Sequence, residues 1–214
     1  MKGAQVFASY TKQAIADYAG NPLIEALPPI FSEEVAMQLI SNFPRPVDPE
    51  ELTLDRSTRV HCIDRLRTVV QPLLVHMDLE SVFSLLVRRG YVGRNPTSPD
   101  TVRHLHSLSG AQRYHDGFKS TAETFSLVGL SGIGKSTALE AILSLYPQTI
   151  RHERYEGKQF VHTQITWLKL DCPRDGSLAG FCQQFFYAVG RALGDEDYYK
   201  RYRARNINDS LQQM

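Results

Sequence analysis

The chain has 214 residues, 42% of them hydrophobic, and its 24 Lys and Arg nearly balance 23 Asp and Glu. It reads as a soluble globular chain, long enough for one large domain or a domain with an arm, and a net charge of +1 singles out no class of partner. No apolar run approaches the roughly 20 residues needed to cross a membrane, and the N-terminus lacks a signal-peptide stretch, so a cytoplasmic protein without a membrane partner is expected.

The three cysteines, Cys62, Cys172 and Cys182, are odd in number and form no C-x-x-C pair. That usage suits a reducing compartment, with the thiols as core residues. Charge is unevenly spread: Lys and Arg against Asp and Glu count 3 and 6 over residues 1–50, 10 and 7 over 51–120, and 11 and 10 over 121–214. Arg56, Arg59, Arg65, Arg67, Arg88, Arg89 and Arg94 supply most of the basic middle segment. A solvated helix face accounts for them, and a grip on phosphates or planar groups is the alternative.

In chain order, residues 9–18 predict a weak helix. Residues 21–29 are expected to be non-helical, because Pro22, Pro28 and Pro29 block the stretch from both ends. Ser32 is a good N-cap for a helix over 32–40, with Glu33 and Glu34 in its first turn. Residues 43–49, with three prolines, read as extended, and Pro49 sits near the start of the next helical stretch. From Leu52 to Gly90 the pattern is mostly helical, interrupted near Pro72. Leu79, Val82, Phe83, Leu86 and Val87 repeat at three- and four-residue spacing. A loop over 91–99 then leads to a helix from about Pro99 to His115.

Gly129, Leu130, Ser131, Gly132, Ile133, Gly134, Lys135 and Ser136 spell G-x-x-x-x-G-K-S. The apolar run 124–128 in front predicts a strand, and 137–145 predicts a helix that stops at Pro147. Strand, glycine turn and helix make the context of a phosphate-binding loop. The glycines permit torsions that side chains would block, so successive N–H groups can face anionic oxygens while the helix adds its positive end. Lys135, the candidate catalytic residue, can reach the β- and γ-phosphates of a nucleotide. The Ser136 hydroxyl can ligate magnesium, and Thr137 adds a hydrogen bond to the α-phosphate. ATP and Mg2+ are the expected ligands.

Beyond Pro147 a polar connection over 151–157 is expected, followed by a strand over 159–171. A turn over 171–177 then places Asp175 or Ser177 as the cap of a helix. That helix shows Leu178, Phe181, Cys182, Phe185, Val189 and Leu193 on one face and ends near Gly194. Strand, helix, strand, helix is the start of a parallel α/β sheet. An ATPase also needs an apolar strand ending in an acid to hold magnesium through water. Leu168, Lys169, Leu170 and Asp171 are the nearest approach, interrupted by Lys169 and followed by Pro173. Two strands leave an edge open, and residues 206–214 read as the first turns of a helix, so an N-terminal fragment of a longer protein is expected.

The phrases at 21–29 (N-P-L-I-E-A-L-P-P) and 89–96 (R-G-Y-V-G-R-N-P), the phosphate loop, and L-K-L-D-C-P at 168–173 with G-S-L at 176–178 occur in one order along nearly the whole chain. Together they resemble the TnsC and TniB group of transposon-encoded AAA+ ATPases, closest to TnsC within it. The loop is shared by many nucleoside triphosphatases, whereas the two N-terminal phrases are more specific to this group. The resemblance implies an α/β P-loop fold of the AAA+ type with a parallel sheet, here truncated. It places a mainly helical docking arm at residues 1–96 and the first part of the ATPase domain at 97–214. It also implies an ATP-dependent regulator of DNA transposition, assembling on double-stranded DNA as a homo-oligomer and linking a target-selection protein to the transposase. Only Gly129, Gly132, Gly134, Lys135, Ser136 and Thr137 carry over as binding residues. The segment 91–94 resembles a place where such proteins cover the adenine, and a helix-capping loop explains it equally well.

Tyr198, Tyr199, Lys200, Arg201, Tyr202, Arg203, Ala204 and Arg205 interleave aromatic and cationic side chains, which suits nucleic-acid contact, while a solvated connector is the plain reading. His104 and His106 lack further ligands at metal-binding spacing. Two other readings compete: a signalling or loader-type P-loop NTPase, and a docking module in which nucleotide only sets the oligomeric state.

Overall fold

A computed structural model describes residues 5–99, 101–103 and 123–201. The chain divides into two compact units: one from Met1–Pro28, Arg88–Thr121 and Tyr146–Met214, the other from Pro29–Val87 and Ala122–Leu145. Among the described residues no helix is long and apolar enough to cross a membrane.

The first unit holds a three-stranded sheet in the order β1 (Gln5–Phe7), β2 (Thr149–Tyr155), β3 (Lys158–Ile165). β1 runs parallel to β2, with Gln5 opposite Thr149, and β2 runs antiparallel to β3, with Thr149 opposite Ile165. The sheet is therefore mixed, where the sequence predicts a parallel one. Residues 151–157, expected as a connection, are mostly strand. The strand accommodates these charges because Arg151 and Glu153 lie on its exposed face while Ile150 and His152 on the other face are buried. The reversal comes at Glu156 and Gly157, both at positive φ (48° and 77°), the two-residue turn whose twist matches a hairpin. β3 ends at Ile165, so the expected strand to residue 171 stops short.

Residues 9–18 form bends and turns instead of a helix. Conversely, α1 (Pro22–Glu25) is a short helix inside the proline-flanked stretch. Pro22 occupies the first helical position, where a missing N–H costs nothing, and Asn21 Oδ1 accepts from Leu23 N at 3.1 Å. All four helical residues are buried.

In the second unit, α2 (Glu33–Ile40) starts at the expected cap, Ser32. A 3-10 turn (Pro49–Thr53), α3 (Arg56–Ile63) and a second 3-10 turn (Asp64–Thr68) precede α4 (Leu74–Val92), which passes Gly90 by two residues and continues into the first unit. The core of the second unit gathers Ala36, Ile40, Met77, Leu79, Ala138 and Ile142. The last two belong to α5 (Lys135–Ser144), the helix behind the phosphate loop. Helical residues at 99 and 101–103 begin the helix expected from Pro99; the rest of that stretch lies outside the described residues.

Back in the first unit, α6 (Leu178–Leu193) is capped by Ser177, whose Oγ accepts from Gly180 N at 3.1 Å, and closed by Gly194 at φ 73°. Its buried positions are Cys182, Phe186, Val189 and Gly190, so Phe186 takes the place assigned to Leu178, which is exposed. A single turn, α7 (Tyr198–Arg201), follows; residues 206–214 lie outside the described part.

Candidate nucleotide-binding site

The phosphate loop lies in the second unit, directly before α5. Gly132 and Gly134 adopt φ values of 80° and 90°, a region open to glycine and costly for other residues. A methyl group on either would meet no atom within 4 Å, so the loop has open space above it and the constraint at both positions is torsional. Gly134 is also the N-cap of α5, which places the helix's free N–H groups beside the loop.

Lys135 folds back over the loop. Its Nζ donates to the carbonyl oxygens of Gly129 at 2.8 Å and Leu130 at 2.7 Å. An ammonium group has three N–H donors, so two are taken by the loop and one remains for an anion. Ser136 and Thr137 are exposed in the first turn of α5, and the Ser131, Gly132 and Ile133 crest is exposed as well. Positive side chain, helix N-terminus and exposed hydroxyl form a donor set that fits a polyphosphate with a magnesium ion.

The expected strand at 124–128 is not one: among the described residues it pairs with no other strand, and Val128 is 90% exposed. Leu127 alone of this run packs against the core of the unit. The apolar run therefore supplies a lead into the loop that pairs with no strand among the described residues.

Asp171, the nearest acid in the sequence, is exposed in an irregular segment and does not end a strand. Among the described residues no group of three or more His, Cys, Asp or Glu is arranged to hold a metal. His104 and His106 lie outside the described residues.

Tyr91 is a structural residue in the first unit. Its hydroxyl donates to the carbonyl oxygen of Ile165 at 3.1 Å, and its carbonyl accepts from Asn21 Nδ2 at 2.8 Å. Burial raises its phenol pKa above the ordinary value. Asn95 Nδ2 reaches the Gly20 carbonyl at 3.2 Å, just ahead of the first N-terminal phrase. In the segment 198–205, Lys200 pairs with Asp197 at 2.7 Å and Arg201 pairs with Asp195 while lying over the Tyr198 ring. Those two cations are neutralised locally; Arg203 and Arg205 lie outside the described residues.

A chain of polar contacts went unread in the sequence because its members are far apart along it. Tyr10 Oη lies 2.9 Å from His152 Nδ1, His152 Nε2 lies 3.0 Å from Gln164 Oε1, and Gln164 Nε2 donates to the Leu23 carbonyl at 3.0 Å. Since Gln164 offers its oxygen to the ring, His152 carries its proton on Nε2 and accepts from the tyrosine. Burial lowers the His152 pKa, and Gln164 partly opposes the shift.

The family model of the AAA domain matches residues 118–214, which include the phosphate loop, the hairpin and α6. This match, with a small mixed sheet among many helices, fits an α/β P-loop fold and supports a nucleotide-binding P-loop ATPase of the AAA+ type. No curated protein matches the chain.

Proposed function

We propose that the chain is the nucleotide-binding part of an AAA+ ATPase that regulates DNA transposition. It binds ATP with magnesium, assembles on double-stranded DNA as a homo-oligomer, and links a target-selection protein to a transposase. The observation that carries the nucleotide reading is the Lys135 ammonium fixed over the loop by two carbonyls with one donor to spare. ATP supplies a chain of phosphate charge for that donor, for the loop N–H groups and for the α5 N-terminus. Gly129, Leu130, Ser131, Gly132, Ile133 and Gly134 shape the backbone cup, Lys135 binds the terminal phosphates, Ser136 holds magnesium, and Thr137 reaches the α-phosphate.

The transposition reading rests on the resemblance of the phrases at 21–29 and 89–96 to the TnsC and TniB group. In the folded chain the two phrases meet where Asn21 Nδ2 donates to the Tyr91 carbonyl oxygen. The test is a nucleotide titration followed by DNA binding at several salt concentrations. Lys135→Ala is expected to abolish ATP binding with the fold retained; unchanged affinity would sink the site. ATP-dependent, salt-sensitive binding to duplex DNA is expected from the DNA reading, and binding indifferent to ATP would remove it.

A further inference from the structure

We propose that a groove in the second unit, between residues 44 and 66, binds an acidic amphipathic helix of a protein partner. The groove has a volume of about 360 Å³, at the lower end of ligand cavities, about 300–1,000 Å³. That is room for anchoring side chains more than for a cofactor. Val47, Leu52, Ile63 and Leu66 line it, and each is more than half exposed. Four such side chains in one concavity offer apolar anchoring points to a partner.

The charge in the groove selects the occupant. Arg45, Arg59 and Arg65 line it together with a single acid, Glu51. Both carboxylate oxygens of Glu51 are taken, one by Arg45 at 3.0 Å and the other by Arg65. Three guanidinium groups against one carboxylate leave a surplus of two positive charges. Arg59 has no side-chain ion pair among the described residues. The Nη1 of Arg65 is buried with no hydrogen-bond partner, although its Nε donates to the Cys62 carbonyl at 2.6 Å. A carboxylate brought in beside the apolar anchors would pair with the exposed guanidinium of Arg59.

Duplex DNA would meet the arginines and leave the four apolar side chains uncovered. A two-fold contact between copies of the groove would set arginine against arginine. A helix with leucines at i, i+4 and i+7 and glutamates flanking them satisfies both the apolar floor and the cationic rim. This inference does not depend on the nucleotide reading.

The experiment uses the full chain and a fluorescein-labelled synthetic helix of that leucine and glutamate pattern, read by anisotropy. Saturable binding is expected. It should weaken at least about tenfold in Ile63→Asp, in Arg59→Glu, and when every leucine of the peptide becomes serine. Both protein positions are exposed, and circular dichroism checks that the variants stay folded. In a Cys172→Ser background the bound peptide should also slow alkylation of Cys62, which lines the groove. Equal binding of the serine peptide, binding of duplex DNA in place of the helix, no saturable binding, or an unchanged Cys62 rate would each overturn the proposal. So would a dimer that Ile63→Asp dissociates without any peptide effect.

Discussion

The side-chain amide of Asn21 donates to the main-chain carbonyl of Tyr91 at 2.8 Å while its oxygen caps α1 at Leu23. One buried side chain thus starts a helix and ties it to a segment 70 residues away. Asn21→Ala removes a cap and leaves a buried carbonyl without its donor. The expected loss is about 2–4 kcal/mol, read from urea denaturation. Asn21→Asp keeps the cap oxygen but sets a buried carboxylate oxygen against the Tyr91 carbonyl in place of the donor, so it should remain destabilised. An aspartate variant as stable as the parent would show that capping alone matters.

Stability should fall in mild acid. The His152 pKa is lowered by burial in the folded chain, and that of His162 is lowered by the same cause. Protons therefore bind the unfolded chain more readily once the pH drops to about 6.5, the ordinary histidine value. The contribution is full above that pH and is lost as pH falls through it toward the folded values. Urea midpoints at a series of pH values check this, and His152→Gln should reduce the slope below about pH 6.5. An unchanged slope would remove His152 as its source.

Gly190 is a packing glycine. A methyl group there would stand 2.7 Å from the Asp195 carbonyl oxygen and 3.0 Å from Tyr198 Cβ. The same turn is closed by Asp195 N donating to Gly190 O at 2.8 Å. Gly190→Ala should cost about 1–3 kcal/mol, and thermal unfolding would show it. Gly194→Ala, in open space at φ 73°, should cost about 1–2 kcal/mol through torsion alone.

In the phosphate loop, Gly134→Ala tests conformation without adding a clash. Keeping the torsion of 90° should cost about 1–2 kcal/mol, and abandoning it turns the loop N–H groups away from an anion. ATP affinity in a fluorescence titration is expected to fall, with the far-ultraviolet spectrum unchanged. Gly134→Asn, a residue that tolerates positive φ better, should retain more affinity than the alanine variant.

Local chemistry is what could be read in advance. Ser32 and Ser177 cap helices because a hydroxyl next to a run of helix formers needs only its own next three residues. Gly194 ends α6 for an equally local reason. The phosphate loop is legible because the glycine torsions and the lysine contact involve residues within six positions of each other. The short helix at residues 22–25 has a local cause as well: Pro22 takes the first helical position, where its missing N–H costs nothing.

The pairing of β1 with β2 was not legible, because it joins parts of the chain separated by more than a hundred residues. Nothing in Gln5, Val6 and Phe7 names Thr149, Ile150 and Arg151 as their neighbours, and nothing in the apolar run 124–128 announces that it pairs with no strand among the described residues. The polar chain from Tyr10 through His152 to Gln164 depends on the same long-range meeting, as does the bond from Tyr155 Oη to Glu25 at 2.9 Å. A residue's order along the chain carries its propensity and its charge. Its burial and its partners are set by which distant surface excludes water from it, and only the folded chain decides that.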